Sequence, residues 1–340
     1  MIGYHRLGKG QSTFASLANN TYPSNIFNPA VFVQRPLAMS TIPSKVDATY
    51  QGFYAEDFIG LLPTLDLMVG VRHDRFDETS ATAAVTPVVD NRVNSATTPR
   101  VGVVYTPTPP VSVYLSLGKG FLPGARAPAG NVNAGELMDP QRSRQLELGA
   151  KTLWLNDRLA LNLAVFDFTR YNIPYTETDP VTAARRTVLI GEQRNKGYEL
   201  ELIGDLAHNW QVMASHAHVK GRIVKANANE GLEQAHAPGQ STKLWTSYTF
   251  GTGPLAGLTV NGGVYSQGKV FADGANAISL GGYVRLDAGV SWRLRAGPSQ
   301  LTLRLNAENL TDRKYYFGNN AQAIFPGAPR NARLSVEARF

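Results

Sequence analysis

The last ten residues of the chain, 331–340, alternate without exception between apolar and polar side chains. The apolar positions are Ala332, Leu334, Val336, Ala338 and Phe340. A period of two predicts a β-strand with one apolar and one polar face. This length fits the roughly 9–11 residues that a tilted transmembrane strand needs, whereas strands in soluble sheets more often have about five or six. The segment favours a membrane barrel, although a soluble β-sandwich could also end on such a strand.

The same alternation recurs upstream and predicts about 14 strands in all. In residues 282–295, for example, Val284, Leu286 and Val290 alternate with polar and charged side chains. The predicted strands are 1–9, 47–60, 65–77, 98–106, 111–121, 143–154, 158–172, 194–206, 209–223, 241–250, 257–269, 282–295, 299–312 and 331–340.

Long and short connections alternate strictly between these strands. The long connections are predicted at 10–45, 78–97, 122–142, 173–192, 225–239, 270–280 and 313–330. Tight turns such as 107–110 and 296–298 join the opposite strand ends. Outer-membrane barrels have short periplasmic turns and long extracellular loops, whereas a soluble sandwich has no reason to place every long connection on one side. The sequence therefore predicts an all-β fold, a transmembrane antiparallel up-and-down β-barrel.

Composition excludes several other classes of protein. The chain has 340 residues, but no apolar run approaches the roughly 18 residues of a membrane helix. It contains no cysteine, which excludes disulfides and thiolate metal sites. The net charge is +7, yet the 33 lysines and arginines are scattered along the sequence, so we expect no nucleic-acid partner.

Several short blocks carry a resemblance to a known family. The two C-terminal blocks contain Asn309, Leu310, Asp312, Tyr315, Tyr316, Pro326, Gly327, Pro329, Arg330 and the terminal Phe340. Further blocks lie in family order at 71–76, 118–123, 139–151, 166–172 and 195–201. Together they resemble the C-terminal part of the barrel of TonB-dependent outer-membrane receptors, in particular ferric-siderophore receptors. Phe340 is similar to the terminal aromatic that the barrel-assembly machinery reads, and the other motif residues are expected to serve folding.

The resemblance implies a function and a set of partners. The whole receptor would bind a ferric siderophore outside the bacterial outer membrane and move it to the periplasm, using energy that the TonB complex delivers through a plug domain. Iron(III) in a siderophore chelate is then the expected cargo, with no cofactor bound by the protein itself and no enzymatic activity. The barrel is expected to be surrounded by outer-membrane lipid.

The predicted strand number departs from the family pattern. Plugged receptor barrels have about 22 strands, whereas this sequence predicts about 14 and contains nothing that resembles the plug. Residues 1–10 also lack the apolar segment of a secretory signal. We therefore expect residues 1–340 to form a single C-terminal portion of a receptor barrel, a partial barrel that begins within a larger protein or after a removed signal.

Residues in or next to the predicted long connections are the candidates for ligand contact. They are Arg126, Tyr171, Tyr175, Arg185 and Arg186. Aromatic faces could pack against a chelate, and guanidinium groups could pair with its anionic oxygens.

No catalytic or metal site is predicted from the sequence. His216 and His218 share one face of a predicted strand and could bind a metal only if a carboxylate joined them. Ser215 faces the opposite side from His216, so no triad is indicated. Three rival functions stay open: a passive porin-like channel of about 14 strands, an outer-membrane hydrolase, and a soluble β-rich binding protein.

Overall fold

The computed structural model describes residues 2–15, 43–82, 88–128, 130–179, 181–226, 228–297, 299–320 and 323–339. Alternating side chains over most of this length produce strands rather than helices. The strands are β1 Ile2–Ala15, β2 Pro43–Leu62, β3 Leu65–Thr82, β4 Val88–Thr108, β5 Val111–Leu122, β6 Gln141–Trp154, β7 Leu159–Thr178, β8 Arg185–Ala207, β9 Trp210–Lys225, β10 Gln240–Thr249, β11 Leu258–Gln267, β12 Val270–Phe271, β13 Ser279–Leu280, β14 Tyr283–Ala296, β15 Ser299–Glu308, β16 Tyr316–Asn320, β17 Ala323–Pro326 and β18 Asn331–Arg339. A 3-10 turn covers Gly253–Leu255.

Fourteen of these strands form one sheet in which neighbours in sequence are neighbours in space. The order runs from β1 to β11 and continues with β14, β15 and β18. The hairpins β12–β13 and β16–β17 form separate two-stranded sheets within long connections. This up-and-down antiparallel topology confirms the predicted fold class and strand number.

The chain divides into two compact units, residues 1–57 with 70–99 and residues 58–69 with 100–340. In the first unit the side chain of Asp74 is buried and accepts hydrogen bonds from Tyr50 and from Arg72 Nε, the latter at 2.7 Å. In the same unit Arg92 and Glu78 form an ion pair of 2.6 Å. The second unit contains the whole of β5 to β18.

The sheet of the second unit has two chemically different faces. Directly paired residues of antiparallel neighbours share a face, and Leu115, Leu148 and Val165 are such partners in β5, β6 and β7. All three are exposed, which suits a surface that lipid covers. On the opposite face the hydroxyl of Tyr114 donates to Glu147 at 2.7 Å. We call these the apolar face and the polar face.

Aromatic residues border the apolar face where strands meet short turns. Trp154 ends β6 and Trp210 begins β9, and both are exposed. Trp292 pairs with Leu258, the first residue of β11. Aromatic girdles occupy this position at the interfaces of outer-membrane barrels.

Three predicted loops were wrong in part, because the strands continue into them. β1 runs to Ala15 and β2 begins at Pro43, both within the predicted loop 10–45. β7 extends to Thr178 and β8 begins at Arg185, so most of the predicted loop 173–192 is a β-hairpin. Likewise, β3 and β4 reach into the predicted loop 78–97. Pro174 and the positive φ of Asn172 interrupt the local pattern, but pairing with the partner strand maintains the ladder. Long hairpins of this kind depend on non-local pairing that the alternation of one segment does not encode.

No helix in the described ranges is both long and apolar enough to span a membrane. Phe340, the predicted assembly signal, lies outside the described residues.

Candidate ligand-binding loops

The connection between β5 and β6 is folded back on itself. The amide of Ala127 donates to the carbonyl of Glu136 at 2.8 Å, and that of Met138 donates to Ala125 at 2.9 Å. The side chains of Ala127 and Met138 are buried. A Cβ at Gly124 would collide with the carbonyl oxygen of Met138, so only glycine permits this approach. The connection is therefore a packed loop.

Asparagine side chains attach this loop to the β7–β8 hairpin. Asn133 Oδ1 accepts from the amide of Thr187 at 3.0 Å, and its Nδ2 donates to the carbonyl of Thr187 at 2.8 Å. Asn131 Nδ2 donates to the Thr187 hydroxyl at 2.6 Å. The amide of Val132 donates to the carbonyl of Arg185 at 2.8 Å. Asn131 and Thr187 are both buried, so these bonds fix the loop against the hairpin in low-dielectric surroundings.

The tip of the hairpin presents two of the predicted ligand residues. Arg185 and Arg186 pair in register with Thr178 and Glu177, and both arginines are exposed. The tip is closed by Asp179, whose Oδ1 accepts from the amides of Val181 at 2.8 Å and Thr182 at 2.9 Å. These hydrogen bonds lower the pKa of Asp179. The exposed guanidinium groups thus project from an ordered turn.

Tyr175 lies where three long connections approach one another. Asn229 Nδ2, in the β9–β10 connection, is 3.4 Å from the Tyr175 hydroxyl. A Cβ at Gly274, in the β11–β14 connection, would lie 3.0 Å from the same hydroxyl oxygen. Tyr175 itself belongs to the β7–β8 hairpin. The structure therefore places this predicted residue within a loop assembly.

The β9–β10 and β11–β14 connections are also joined to each other directly. Asn276 Oδ1 accepts from the amide of Glu233 at 2.8 Å, and Asn276 Nδ2 donates to the Glu233 carbonyl at 3.0 Å. The amide of His236 donates to the carbonyl of Phe271 at 2.8 Å. Asn276 thus accepts one hydrogen bond from the backbone of Glu233 and donates another to it, and the two bonds fix the β9–β10 and β11–β14 connections to each other.

The two remaining predicted ligand residues are placed differently. Arg126 Nη1 donates to the carbonyl of Gly135 at 3.2 Å within its own loop. Tyr171 pairs with Arg142 on the apolar face, and the guanidinium of Arg144 lies 6.0 Å from the centroid of its ring. The structure therefore places Tyr171, Tyr175, Arg185 and Arg186 in one hairpin, with both arginines at its tip and Tyr171 farthest from the tip.

Sequence reasoning missed the asparagines that hold these loops together, Asn131, Asn133, Asn229 and Asn276. The only local signal was the segment Asn131-Val-Asn133-Ala-Gly135, which is rich in turn-forming residues. Their partners lie in other connections, so the sequence could not identify the contacts.

A cavity opens on the polar face beneath these loops. Its volume is about 400 Å³. It is lined by Gln145, Glu147, Phe166, Phe168, Glu199 and Gln234, together with Asn195 and Val219. Aromatic rings and hydrogen-bonding groups in one hollow suit an organic ligand with a polar periphery.

The C-terminal motif residues form the base of the β15–β18 connection. Asn309 is fully buried with a positive φ, and its Nδ2 donates to the carbonyls of Arg313 and Ala328, each at 3.0 Å. Asp312 Oδ1 accepts from the amide of Arg330 at 2.9 Å. These side chains bond backbone groups of the same connection, and the amide of Asn309 also donates to Asp287 Oδ1 in β14 at 2.8 Å. Such contacts are those that a folding role requires.

The histidine pair lies on the apolar face. Tyr198 is stacked with His218 at a centroid distance of 5.5 Å, and His216 Nδ1 is 2.7 Å from the hydroxyl of Thr242. Within the described ranges no group of three histidine, cysteine or acidic side chains is arranged to hold a metal ion.

An up-and-down antiparallel sheet, an exposed apolar face and ordered loops on one side define the class of outer-membrane β-barrel proteins. Residues 2–310 match the family described as TonB dependent receptor-like, beta-barrel, and the chain belongs to this family. Members are outer-membrane proteins, so the predicted family, fold and location are confirmed.

Relatives and solved structures agree with this assignment. The ferrichrome receptor FcuA of Yersinia enterocolitica is 29% identical over 331 residues, which cover 93% of this chain and 42% of the receptor. The ferrioxamine B receptor of Salmonella typhimurium is 28% identical over 323 residues, 94% of this chain and 44% of the receptor. The crystal structure of BauA, the ferric preacinetobactin receptor from Acinetobacter baumannii, has a TM-score of 0.72 at 27% identity and covers 93% of this chain and 46% of that chain.

A more distant structure supports the fold alone. The ferric-catecholate import receptor Fiu from K12 E. coli, in its closed form, has a TM-score of 0.76 at 20% identity and covers 99% of this chain and 52% of that chain.

This chain spans less than half the length of the curated relatives named above.

Proposed function

We propose that this chain is the C-terminal barrel portion of a TonB-dependent receptor that imports ferric siderophores across the outer membrane. The observation that carries the proposal is the family match over residues 2–310, together with relatives that are named ferrichrome and ferrioxamine B receptors. In this proposal residues 1–340 form one domain, and a plug supplied elsewhere in the receptor contacts TonB. Because the relatives are receptors, the proposal assigns transport rather than catalysis.

The loop assembly is the proposed entry side for the ligand. Arg185 and Arg186 offer exposed guanidinium groups at the hairpin tip, and such groups pair well with the anionic oxygens of a chelate. Tyr175 contributes an aromatic ring where three loops approach, and Arg126 lies in the loop fixed to the hairpin. Iron(III) enters as cargo within the chelate. Tyr171, on the apolar face, stays a prediction without support from its position.

Growth under iron limitation tests the proposal. A strain that lacks the gene is complemented with the full-length protein and supplied with one ferric siderophore at a time, in the presence and absence of TonB. We expect growth on at least one siderophore, lost without TonB, and weakened uptake in an Arg185→Gln, Arg186→Gln variant. The matched control is Arg295→Gln with Arg333→Gln, which removes equal charge from the polar face outside the loops. Ion conductance independent of TonB, without siderophore uptake, would instead indicate a porin-like channel.

A further inference from the structure

A row of cations crosses five neighbouring strands on the apolar face. Lys119 in β5 pairs with Arg144 in β6, Arg144 with Thr169, Thr169 with Arg194, and Arg194 with Arg222. Directly paired residues share a face, and neighbouring strands are about 4.8 Å apart. Four cations therefore lie side by side over roughly 20 Å.

The adjacent row on the same face adds two further cations. Asp167, Lys196 and Lys220 are paired in register in β7, β8 and β9. We call Lys119, Arg144, Arg194, Lys196, Lys220 and Arg222 the cationic patch. Among the strand residues that form these two rows Asp167 is the only carboxylate, and it binds Arg194 at 2.7 Å and Lys196 at 3.4 Å. Glu233, in the β9–β10 connection, is paired with Arg222 and adds a second carboxylate beside the first row.

Three members of the patch keep their charge available to a ligand. Lys119, Arg144 and Lys220 are exposed, and in the described part of the chain none of them forms an ion pair with a carboxylate. Thr169, between two arginines, is fully buried, and its hydroxyl has no hydrogen-bond partner in the described ranges. Six cations beside two carboxylates, Asp167 and Glu233, leave the patch with an excess of positive charge.

The distance along the strands between the patch and the tryptophans can be compared with the thickness of the membrane. On β6 ten residues separate Arg144 from Trp154, and on β9 ten residues separate Lys220 from Trp210. Ten residues along a strand span about 34 Å, and a tilt of about 40° reduces this to roughly 25 Å along the membrane normal. The apolar band of outer-membrane barrels has about this height, so the patch lies one membrane thickness from the tryptophans.

Apolar side chains fill the interval between the two levels. Leu148, Val165 and Leu163 are exposed on this face directly below the cationic rows. The patch also lies near the loop-side ends of β5, β6 and β9, whereas the β7–β8 hairpin extends beyond it. Acyl chains packed against the apolar rows therefore bring the headgroups of the loop-side leaflet to the level of the cations.

We propose that the cationic patch binds the phosphate groups of phosphorylated glycolipids in the outer leaflet. Arginine binds phosphate oxygens in a bidentate geometry, and lysine contributes a point charge. Continuity with the apolar rows favours a lipid over a free anion, because one molecule then satisfies both surfaces. The inference does not depend on which siderophore is transported.

Native mass spectrometry of the full-length protein in detergent tests the inference. The probes are diphosphorylated lipid A, its dephosphorylated form and inorganic phosphate. The variant Lys119→Gln, Arg144→Gln, Lys220→Gln is expected to bind diphosphorylated lipid A about 10- to 100-fold more weakly, given the usual contribution of each cation near an anionic membrane surface. The matched control Arg293→Gln, Arg295→Gln, Arg333→Gln removes the same charge from the polar face and is expected to bind normally.

The outcomes separate the sources of binding. Preserved heat-modifiable electrophoretic mobility shows that the variants are folded, so a selective loss of lipid binding supports the patch. Equal binding by the patch variant and the wild type overturns the proposal. Equal binding of dephosphorylated lipid A, or displacement by equimolar inorganic phosphate, also overturns it, in favour of purely apolar contact or a free-anion site.

Discussion

Asn309 donates a hydrogen bond to the carbonyl of Ala328, 19 residues further along the chain, at 3.0 Å. The same amide group bonds the carbonyl of Arg313, and the side-chain oxygen accepts from the Arg313 amide at 2.8 Å. One buried side chain therefore closes the base of the connection between β15 and β18. The contact explains why asparagine is suited to this position of the C-terminal motif, since asparagine also tolerates a positive φ.

Replacing Asn309 with alanine should destabilise the barrel. The change removes three hydrogen bonds to the backbone of Arg313 and Ala328 and places alanine at a φ of +53°. We expect a loss of about 2–4 kcal/mol in the free energy of unfolding, at about 1 kcal/mol for each lost hydrogen bond. Urea titration followed by heat-modifiable mobility measures it. Asn306→Ala, at an exposed position of β15, is the control and should change the free energy by less than about 0.5 kcal/mol. Similar values for the two variants would contradict the structural role of Asn309.

Valine in place of Gly149 should displace an aromatic ring. A Cβ at Gly149 would collide with the ring of Tyr114, whose hydroxyl donates to Glu147 at 2.7 Å. Overpacking of this kind costs about 1–3 kcal/mol. The free energy of unfolding measures the effect. Gly118→Val is the control, because a Cβ at Gly118 meets no atom within 4 Å; equal losses would show that the ring is not the cause.

The faces of the sheet were predictable from sequence, whereas the loops were not. Alternation in β14, from Val284 to Leu294, is a local property that a single strand displays. By contrast, the hydrogen bonds between Asn133 and Thr187 join residues 54 positions apart. The strand pairing of Tyr175 likewise requires a partner on the other side of the hairpin tip. The cationic patch likewise depends on strand register, because Lys119 and Arg222 are distant in sequence and no basic run marks them.

Removing the hydrogen bonds between the Asn133 side chain and Thr187 should affect ligand binding more than folding. Asn133→Ala removes both hydrogen bonds to the backbone of Thr187, so we expect increased protease cleavage of the β5–β6 loop and several-fold weaker siderophore binding. Asn133→Asp keeps the acceptor for the Thr187 amide and should have an intermediate effect. Binding is measured by quenching of intrinsic fluorescence. Unchanged cleavage and affinity in the alanine variant would show that the loop does not position the ligand.

The hairpin tip should loosen in acid because of Asp179. Hydrogen bonds from the amides of Thr182 and Val181 stabilise the ionised carboxylate and hold the pKa of Asp179 below its ordinary value of 3.8. A lowered pKa in the folded state means that the stabilisation is complete above the ordinary value and is lost as the pH falls through the folded-state value. Hydrogen exchange of the Val181 and Thr182 amides, corrected for the intrinsic pH dependence, should therefore accelerate below pH 3.8. The Asp179→Asn variant, which cannot ionise, should show the same protection on both sides of this pH. Protection in the wild type that does not change through this range would mean that the carboxylate does not hold the turn.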